Sequence, residues 1–552
     1  MNIHPIVEKI LRSRGITNFS NFLNPSLRDL SDPQNIVPLS AGRLVAKAIK
    51  DNKRICIYGD YDVDGVCSTA LLANFFSELG FYNYTTLIPS RYEDGYGLSM
   101  NLAQQMVEDK VDLVITVDCG ITSIDEVKYL KDNNVKVIVT DHHTPKEELP
   151  NADFIVNPKL TPERENEADY HVCGCGVAFK LIQTIRRVFN RRDINLKKYL
   201  DLVGLATVAD IVPLIGENRV LVKHGLQVIN SKPSPGLQAL IEVAGLKDKE
   251  IKSYHHGFVL GPRINASGRI DVADTALKLL TSNDPVVTLK LAENLDNINR
   301  ERQDLCEKTA VEAEKMIDDY GFADNKVIVL YQPHWIKGII GIVASRILEK
   351  YYRPVILFGG DEPITTGSAR SIDGIDMFGL LTEVDKKKHG LLEKFGGHKK
   401  AAGLSVSRVN IDMFREKINE IVESSYAENL FHRKNTYDLA VTVDDLDIEL
   451  AKDLELLEPF GEGNRRPVFR IKNAKIENQR AVGANGNHLM LDLSNGNGKK
   501  VRGIWFNYNG NHIDPANLFG YIDCNRYNGG EYCQVRVVKD NFLRGKNVKK
   551  TN

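Results

Sequence analysis

Residues 55–65 read Ile-Cys-Ile-Tyr-Gly-Asp-Tyr-Asp-Val-Asp-Gly. The opening run, Ile55–Tyr58, is apolar without alternation, the pattern of a strand covered on both faces of a parallel sheet. A glycine and three alternating aspartates follow, and then a helical pattern over Cys67–Leu79. Two further apolar runs, Leu113–Val117 and Val135–Thr140, flank a helical pattern over Ser123–Asp132. Alternating strand and helix predicts a doubly wound α/β sheet.

In such sheets ligands collect at the carboxyl ends of the strands. The three runs end in Asp60, Asp62 and Asp64, in Asp118, and in Asp141-His142-His143. Carboxylates crowded into one crevice repel, and one is forced to protonate unless a cation neutralises them. Asp210 joins the set, because an aspartate inside the apolar run 206–213 is costly to bury without a partner. Its structural alternative is to cap the turn before Pro213. Aspartates with one or two histidines suit Mn²⁺, with Mg²⁺ as a substitute. Two such ions about 3.5–4 Å apart suit in-line displacement at phosphorus. Cys173-Gly174-Cys175 lacks the CxxC spacing and a second pair, which argues against zinc.

The rest of the chain sets limits. The formal charge is 72 − 73 = −1, with 26% charged and 42% hydrophobic residues. This mixture excludes wholesale disorder, collagen and a coiled-coil rod, and it leaves room for a local basic surface. No run approaches the ~20 apolar residues of a membrane helix. The N-terminus carries charges where a signal peptide needs an apolar core. Eight scattered cysteines read as reduced thiols, so a cytoplasmic location is expected.

Five segments are expected. Residues 1–50 form a helical segment packing on the catalytic lobe, 51–280 the catalytic α/β domain, and 281–322 a long connecting helix. Residues 323–430 form a second α/β domain, and 431–552 a small β domain of OB type. The long helix should run from Pro285 to Tyr320, capped by Asn283 or Asp284 and stopped at Gly321. The β domain carries Phe469, Trp505, Phe506, Tyr508, Tyr521, Tyr527 and Tyr532 among Arg502, Arg526 and Arg536. Such a set suits single-strand stacking, with about half of the aromatics expected in the core.

These motifs resemble the DHH phosphoesterase superfamily, named for the triplet at 141–143, and more narrowly the RecJ exonuclease family. The resemblance rests on GDYDVDG at 59, VDCG at 117, DHH at 141, ADIVP at 209, GPRINASGR at 261, GIIGIVASR at 338, GSARS at 367, GGHKKAAG at 396 and EPFGEGNRRPVF at 458. It implies a DHH lobe, a DHHA1 lobe across a cleft, and an OB-like barrel. Asp62, Asp64, Asp118, His142 and Asp210 would hold two Mn²⁺, with Asp118 bridging. His143 would contact the scissile phosphate, and Asp60 and Asp141 would orient ligands. Arg91, Ser368 and Arg370 would hold a 5′-phosphate. Arg263 and Asn265 would line the strand's path, and Gly397 and His398 would approach a phosphate. The implied activity is a 5′-to-3′ single-stranded-DNA exonuclease that releases 5′-mononucleotides in DNA repair and recombination. A monomer working beside a single-strand-binding protein and a helicase is implied with it.

One departure is Ile336, which stands where the family often has histidine before the GIIGIVASR segment. Rival readings within the superfamily are an oligoribonuclease or cyclic-dinucleotide phosphodiesterase, whose members are mostly shorter and lack the β domain, and a manganese pyrophosphatase, which has a different second domain. A catalytically dead DNA-binding scaffold would have eroded ligands, whereas every aspartate and histidine of the motifs is present here.

Overall fold

A computed structural model describes residues 3–90, 97–270, 274–433, 436–483, 486–508, 510, 517–527 and 529–538. Arg91 lies outside the described residues. The chain divides into two compact units, 1–298 with 437–539, and 299–436.

In the first unit, β1 (Ile55–Gly59), β2 (Tyr84–Leu87), β3 (Leu113–Val117), β4 (Lys136–Thr140) and β5 (Phe154–Val156) form one sheet in the order β2-β1-β3-β4-β5. Every pairing in it is parallel. Alternate residues of one strand enter different cores. Ile55 and Ile57 pack with the helices Val63–Glu78, Gly174–Phe189 and Leu200–Ala209, while Cys56 and Tyr58 pack with Val114, Val137 and Leu130. Burial on both faces is why the strand sequences do not alternate in polarity. The sheet also brings the ends of β1, β3 and β4 side by side, since Gly59 pairs with Val117 and Val117 with Thr140.

The segment 1–50 departs from expectation. Only its second part, with Ile36, Val37, Ala41, Val45 and Ala48, packs on the α/β core. Ile6, Val7, Ile10 and Leu11 of the first helix, Pro5–Ser13, join the core of the C-terminal β domain instead. The amphipathic helix needed an apolar surface to cover, and periodicity does not say whose.

That domain holds β11 (Leu439–Val441), β12 (Phe469–Lys472), β13 (Lys475–Val482), β14 (His488–Ser494), β15 (Lys500–Trp505), β16 (Asn517–Tyr527) and β17 (Gly530–Val537). Their order is β11-β12-β16-β17-β15-β14-β13. Its aromatics divide between inside and outside. Phe469 and Trp505 are buried, while Phe506, Tyr527 and Tyr532 are exposed. Arg526 is engaged by Glu455 and Glu531, and Arg536 by Asp523.

The helix Pro285–Asp319 runs from one unit into the other. Asp284 Oδ1 caps it by accepting from the N–H groups of Val286 (2.8 Å) and Val287 (3.3 Å). Gly321 follows its end at φ +69°, the left-handed conformation that favours glycine.

The second unit contains β6 (Ile328–Gln332), β7 (Val355–Gly359), β8 (Ile364–Arg370), β9 (Lys394–Gly397) and β10 (Ala401–Ser407), ordered β6-β7-β8-β10-β9. Only the β6–β7 pairing is parallel. The GGHKKAAG stretch is the β9–β10 hairpin, closed by His398 N–H donating to the Ala401 carbonyl at 2.8 Å.

Candidate metal centre

Each strand end delivers its acids by a different local device. After β1, Asp62 caps the helix Val63–Glu78, its Oδ1 accepting from Asp64 N–H (2.8 Å) and Gly65 N–H (3.1 Å). Asp64 lies in the first turn of that helix. Both its oxygens are held by backbone donors at the start of another helix, Gly174 N–H at 2.6 Å and Cys175 N–H at 2.8 Å. A helix N-terminus is a ready site for a carboxylate. Cys173-Gly174-Cys175 therefore serves Asp64 through its backbone, and its thiols are buried.

Asp118 follows β3 at φ +62°, a conformation non-glycine residues rarely adopt, and is 2% exposed. Gly174 leaves it room, since a Cβ built there would stand 2.5 Å from Asp118 Cβ. Asp141, after β4, accepts from Ile121 N–H at 3.0 Å on Oδ2. Its Oδ1 takes His142 N–H (2.7 Å), His143 N–H (3.0 Å) and His143 Nδ1 (2.7 Å). Burial would raise this carboxyl, but the bonds and charge of His143 outweigh it and hold Asp141 below the usual carboxylate range. Asp141 thus holds the His143 ring and the backbone N–H groups of both histidines. His143 moves the other way. Burial opposes its charge, yet Asp141 wins and raises the imidazole above its ordinary value.

His142 and Asp210 complete the cluster. His142 Nε2 stands 3.1 Å from Asp118 Oδ1, 3.5 Å from Asp210 Oδ2 and 3.8 Å from Asp64 Oδ2. Burial first, and His143 second, lower its pKa to about 3, so the ring is neutral. Nε2, Asp118 Oδ1 and Asp210 Oδ2 are all buried with no hydrogen-bond partner among the described residues. A neutral ring nitrogen facing three carboxylates, with no hydrogen bond made by those three buried atoms among the described residues, is a donor set that suits a divalent cation. The carboxylates agree. Burial and then Asp62 push Asp64 up to about 6. Burial and then Asp64 raise Asp118 and Asp210 well above their usual range. A divalent cation removes that cost.

Among the described residues three ligand-capable groups emerge: Asp118 with His142 and His143, Asp64 with His142 and Asp210, and Asp60 with Asp62 and Asp118. Within each, one donor atom per residue lies within 4.8 Å of the others. Asp118 and His142 each belong to two groups. Asp60 thus stands among the possible ligands, where it was expected only to orient them.

Other expected residues fall differently. Asn265 lies on the helix Gly261–Ile270, which reaches Ala209 at Gly261 and Tyr61 at Gly268. Its Oδ1 is buried without a partner among the described residues. Arg263, expected on the strand's path, is engaged by Asp296 (2.8 Å) and the Val259 carbonyl (2.8 Å). In the second unit, Arg370 Nη1 donates to Ser368 Oγ at 3.1 Å on β8, beside Gly341. Gly397 (φ +146°) and His398 form the β9–β10 turn. Ile336 is the N-cap of the helix Lys337–Tyr351, and neighbouring His334 and Trp335 both meet Glu312. Two groups escaped sequence reasoning. Asn157 Nδ2 donates to the His143 carbonyl at 2.9 Å, and burial lowers the Lys159 pKa although Asp210 and then Asp141 favour its charge. Their signal was only their place after β5.

Fold and site define a metal-dependent phosphoesterase of the DHH class. Residues 54–207 match the DHH family N-terminal domain, 324–424 the DHHA1 domain and 437–539 the RecJ OB domain. The single-stranded-DNA-specific exonuclease RecJ of Haemophilus influenzae is 36% identical over 97% of this chain and 96% of its own length. The crystal structure of Thermus thermophilus RecJ in complex with Mn²⁺ aligns with a TM-score of 0.81 at 32% identity, covering 97% of this chain and 76% of that one. Its Mg²⁺ complex aligns at 0.75 and 29%, covering 97% and 74%. The chain belongs to the RecJ family of single-stranded-DNA-specific exonucleases.

Proposed function

We propose that this chain is a single-stranded-DNA exonuclease that works from the 5′ end and releases 5′-mononucleotides. The observation that carries the reading is the neutral His142 Nε2 set against Asp64, Asp118 and Asp210 at 3.1–3.8 Å. Asp60, Asp62, Asp64, Asp118, His142 and Asp210 would hold two Mn²⁺ or Mg²⁺ ions. Bound there, the ions acidify a water and neutralise charge on the phosphate.

The protein's own groups do the rest. The Asp141 carboxylate fixes the His143 ring through Nδ1 and favours its protonated form, which would present Nε2–H to a phosphoryl oxygen. Asn157 holds the His143 backbone from behind. The Gly174 and Cys175 N–H groups favour the Asp64 carboxylate and aim it. Ser368 Oγ and the Arg370 guanidinium would bind a terminal 5′-phosphate, and this would set the polarity. His398, Asn265 and exposed aromatics of the β domain bind the following nucleotides.

A role in DNA repair and recombination follows from this substrate, with a helicase and a single-strand-binding protein as suppliers of single strands. No helix among the described residues is long and apolar enough to cross a membrane. We place the enzyme in the cytoplasm as a monomer. Single strands labelled at either end and incubated with Mn²⁺ test the reading. Label released first from the 5′ end supports it, and release from the 3′ end alone overturns the polarity.

A further inference from the structure

Arg219 is 2% exposed, and each of its guanidinium hydrogen bonds among the described residues goes to a backbone carbonyl. Its Nε donates to Phe22 O at 2.8 Å. Nη1 donates to Leu457 O (3.0 Å) and Pro459 O (3.5 Å), and Nη2 to Leu456 O (3.4 Å) and Glu458 O (2.9 Å). The ring of Phe22 lies 3.8 Å beneath it. All five donors of the fork are thus spent on backbone, four of them on the segment that leads into the turn 459–464. Asn464 closes the same turn through Nδ2, which donates to Leu457 O (2.8 Å) and Pro459 O (2.9 Å).

The turn meets Ser253, whose Oγ donates to Phe460 O at 2.7 Å, Arg14, whose Nη1 donates to Asn464 Oδ1 at 2.8 Å, and the loop that follows Asp210. Leu214 N–H donates to Glu462 O at 2.7 Å. A Cβ on Gly461 would stand 2.6 Å from Leu214 Cδ1, and one on Gly463 (φ +71°) 3.0 Å from Pro213 Cβ. On the loop's other side, Asn218 Nδ2 holds the Pro213 carbonyl at 3.0 Å. Between this clamp and Asp210 lies only Ile211 with Val212, and Ile211 sits at φ +60° with its side chain 70% exposed. A β-branched residue in that conformation is held there by its surroundings.

We propose that the 459–464 turn is the back-stop that aims Asp210 into the metal centre, with Arg219, Gly461 and Gly463 as positioning residues. Through it the C-terminal β domain sets metal affinity, beyond any hold it has on DNA. This rests on the metal-centre reading above.

The test uses the full chain with Gly461→Ala, Gly463→Ala, Arg219→Lys and Arg219→Met. Mn²⁺ binding without DNA is followed by electron paramagnetic resonance, single-strand affinity by anisotropy in EDTA, and turnover as kcat and KM. The expected result is Mn²⁺ binding weakened roughly 10- to 100-fold, kcat lowered and recovered by excess Mn²⁺, and DNA affinity unchanged. Folded variants with wild-type Mn²⁺ affinity overturn the proposal, as does a loss confined to DNA binding. Should Arg219→Met not fold, the two glycine variants, each adding one methyl, decide. Asp210→Asn separates the two readings. If it leaves Mn²⁺ binding intact, the metal centre is misassigned. If it weakens Mn²⁺ binding and the glycine variants do not, only the back-stop fails.

Discussion

Gly174→Ala is the sharpest perturbation the geometry offers. A methyl group there would stand 2.5 Å from Asp118 Cβ, 2.6 Å from Oδ1 and 2.8 Å from Cγ. Ordinary carbon contacts lie at about 3.5–4.0 Å, so Asp118 or the helix start must yield by roughly 1 Å. Either movement damages the centre. Asp118 belongs to two ligand groups, and the Gly174 N–H holds Asp64 at 2.6 Å. Misplacement by about 1 Å lowers turnover about 100-fold, equivalent to about 2.7 kcal/mol in the barrier. The steric cost to folding is about 1–3 kcal/mol, small enough for a folded protein. The assay is hydrolysis of a 5′-labelled single strand across a Mn²⁺ series, with kcat and KM separated. We expect kcat to fall about 100-fold at little change in KM. Wild-type kcat in a folded Gly174→Ala protein would refute the packing argument.

Other consequences are as direct. Because Asp64 is raised to about 6, the metal-free fold binds extra protons there, and that contribution to stability is lost as pH rises through about 6. Mn²⁺ should therefore raise the melting temperature more at pH 7.5 than at pH 5.5, and calorimetry finding equal shifts would count against the site. His143→Gln should lower kcat roughly 10²- to 10⁴-fold with Mn²⁺ binding largely kept, as general-acid losses do; unchanged turnover would remove His143 from the chemistry. Lys180 and Glu217 form a buried pair at 2.8 Å, with Ser31 also bound to Lys180 Nζ. Lys180→Met should cost about 3–5 kcal/mol in urea unfolding, and adding Glu217→Gln should recover part of it; a neutral Lys180→Met would contradict this.

The parts of the site visible in the sequence are those made by side chains at strand ends. Three unbroken apolar runs marked β1, β3 and β4, and the acids that follow each run share one pocket because parallel strands end on one side. The long helix was bounded by Asp284 and Gly321, whose chemistry is local. What escaped notice acts through backbone or distant partners. The N–H groups that hold Asp64 and the carbonyls that hold Arg219 leave no trace in residue identity. Arg263 was expected to face substrate, but Asp296, 33 positions away in sequence, engages it. The helix Pro5–Ser13 displays an apolar stripe without naming the surface it covers, which is the C-terminal β domain. Asp60 was expected to orient ligands on the family resemblance, and the fold brings it within ligand distance of Asp62 and Asp118.

The central claim is that carboxylates and an imidazole from three strand ends, with Asp210, converge on divalent cations. Diffraction from Mn²⁺-soaked crystals at the manganese absorption edge addresses it directly. Two anomalous peaks are expected, one flanked by Asp64, His142 and Asp210 and the other by Asp60, Asp62 and Asp118. No peak within reach of His142 Nε2, or peaks only elsewhere on the chain, would contradict it.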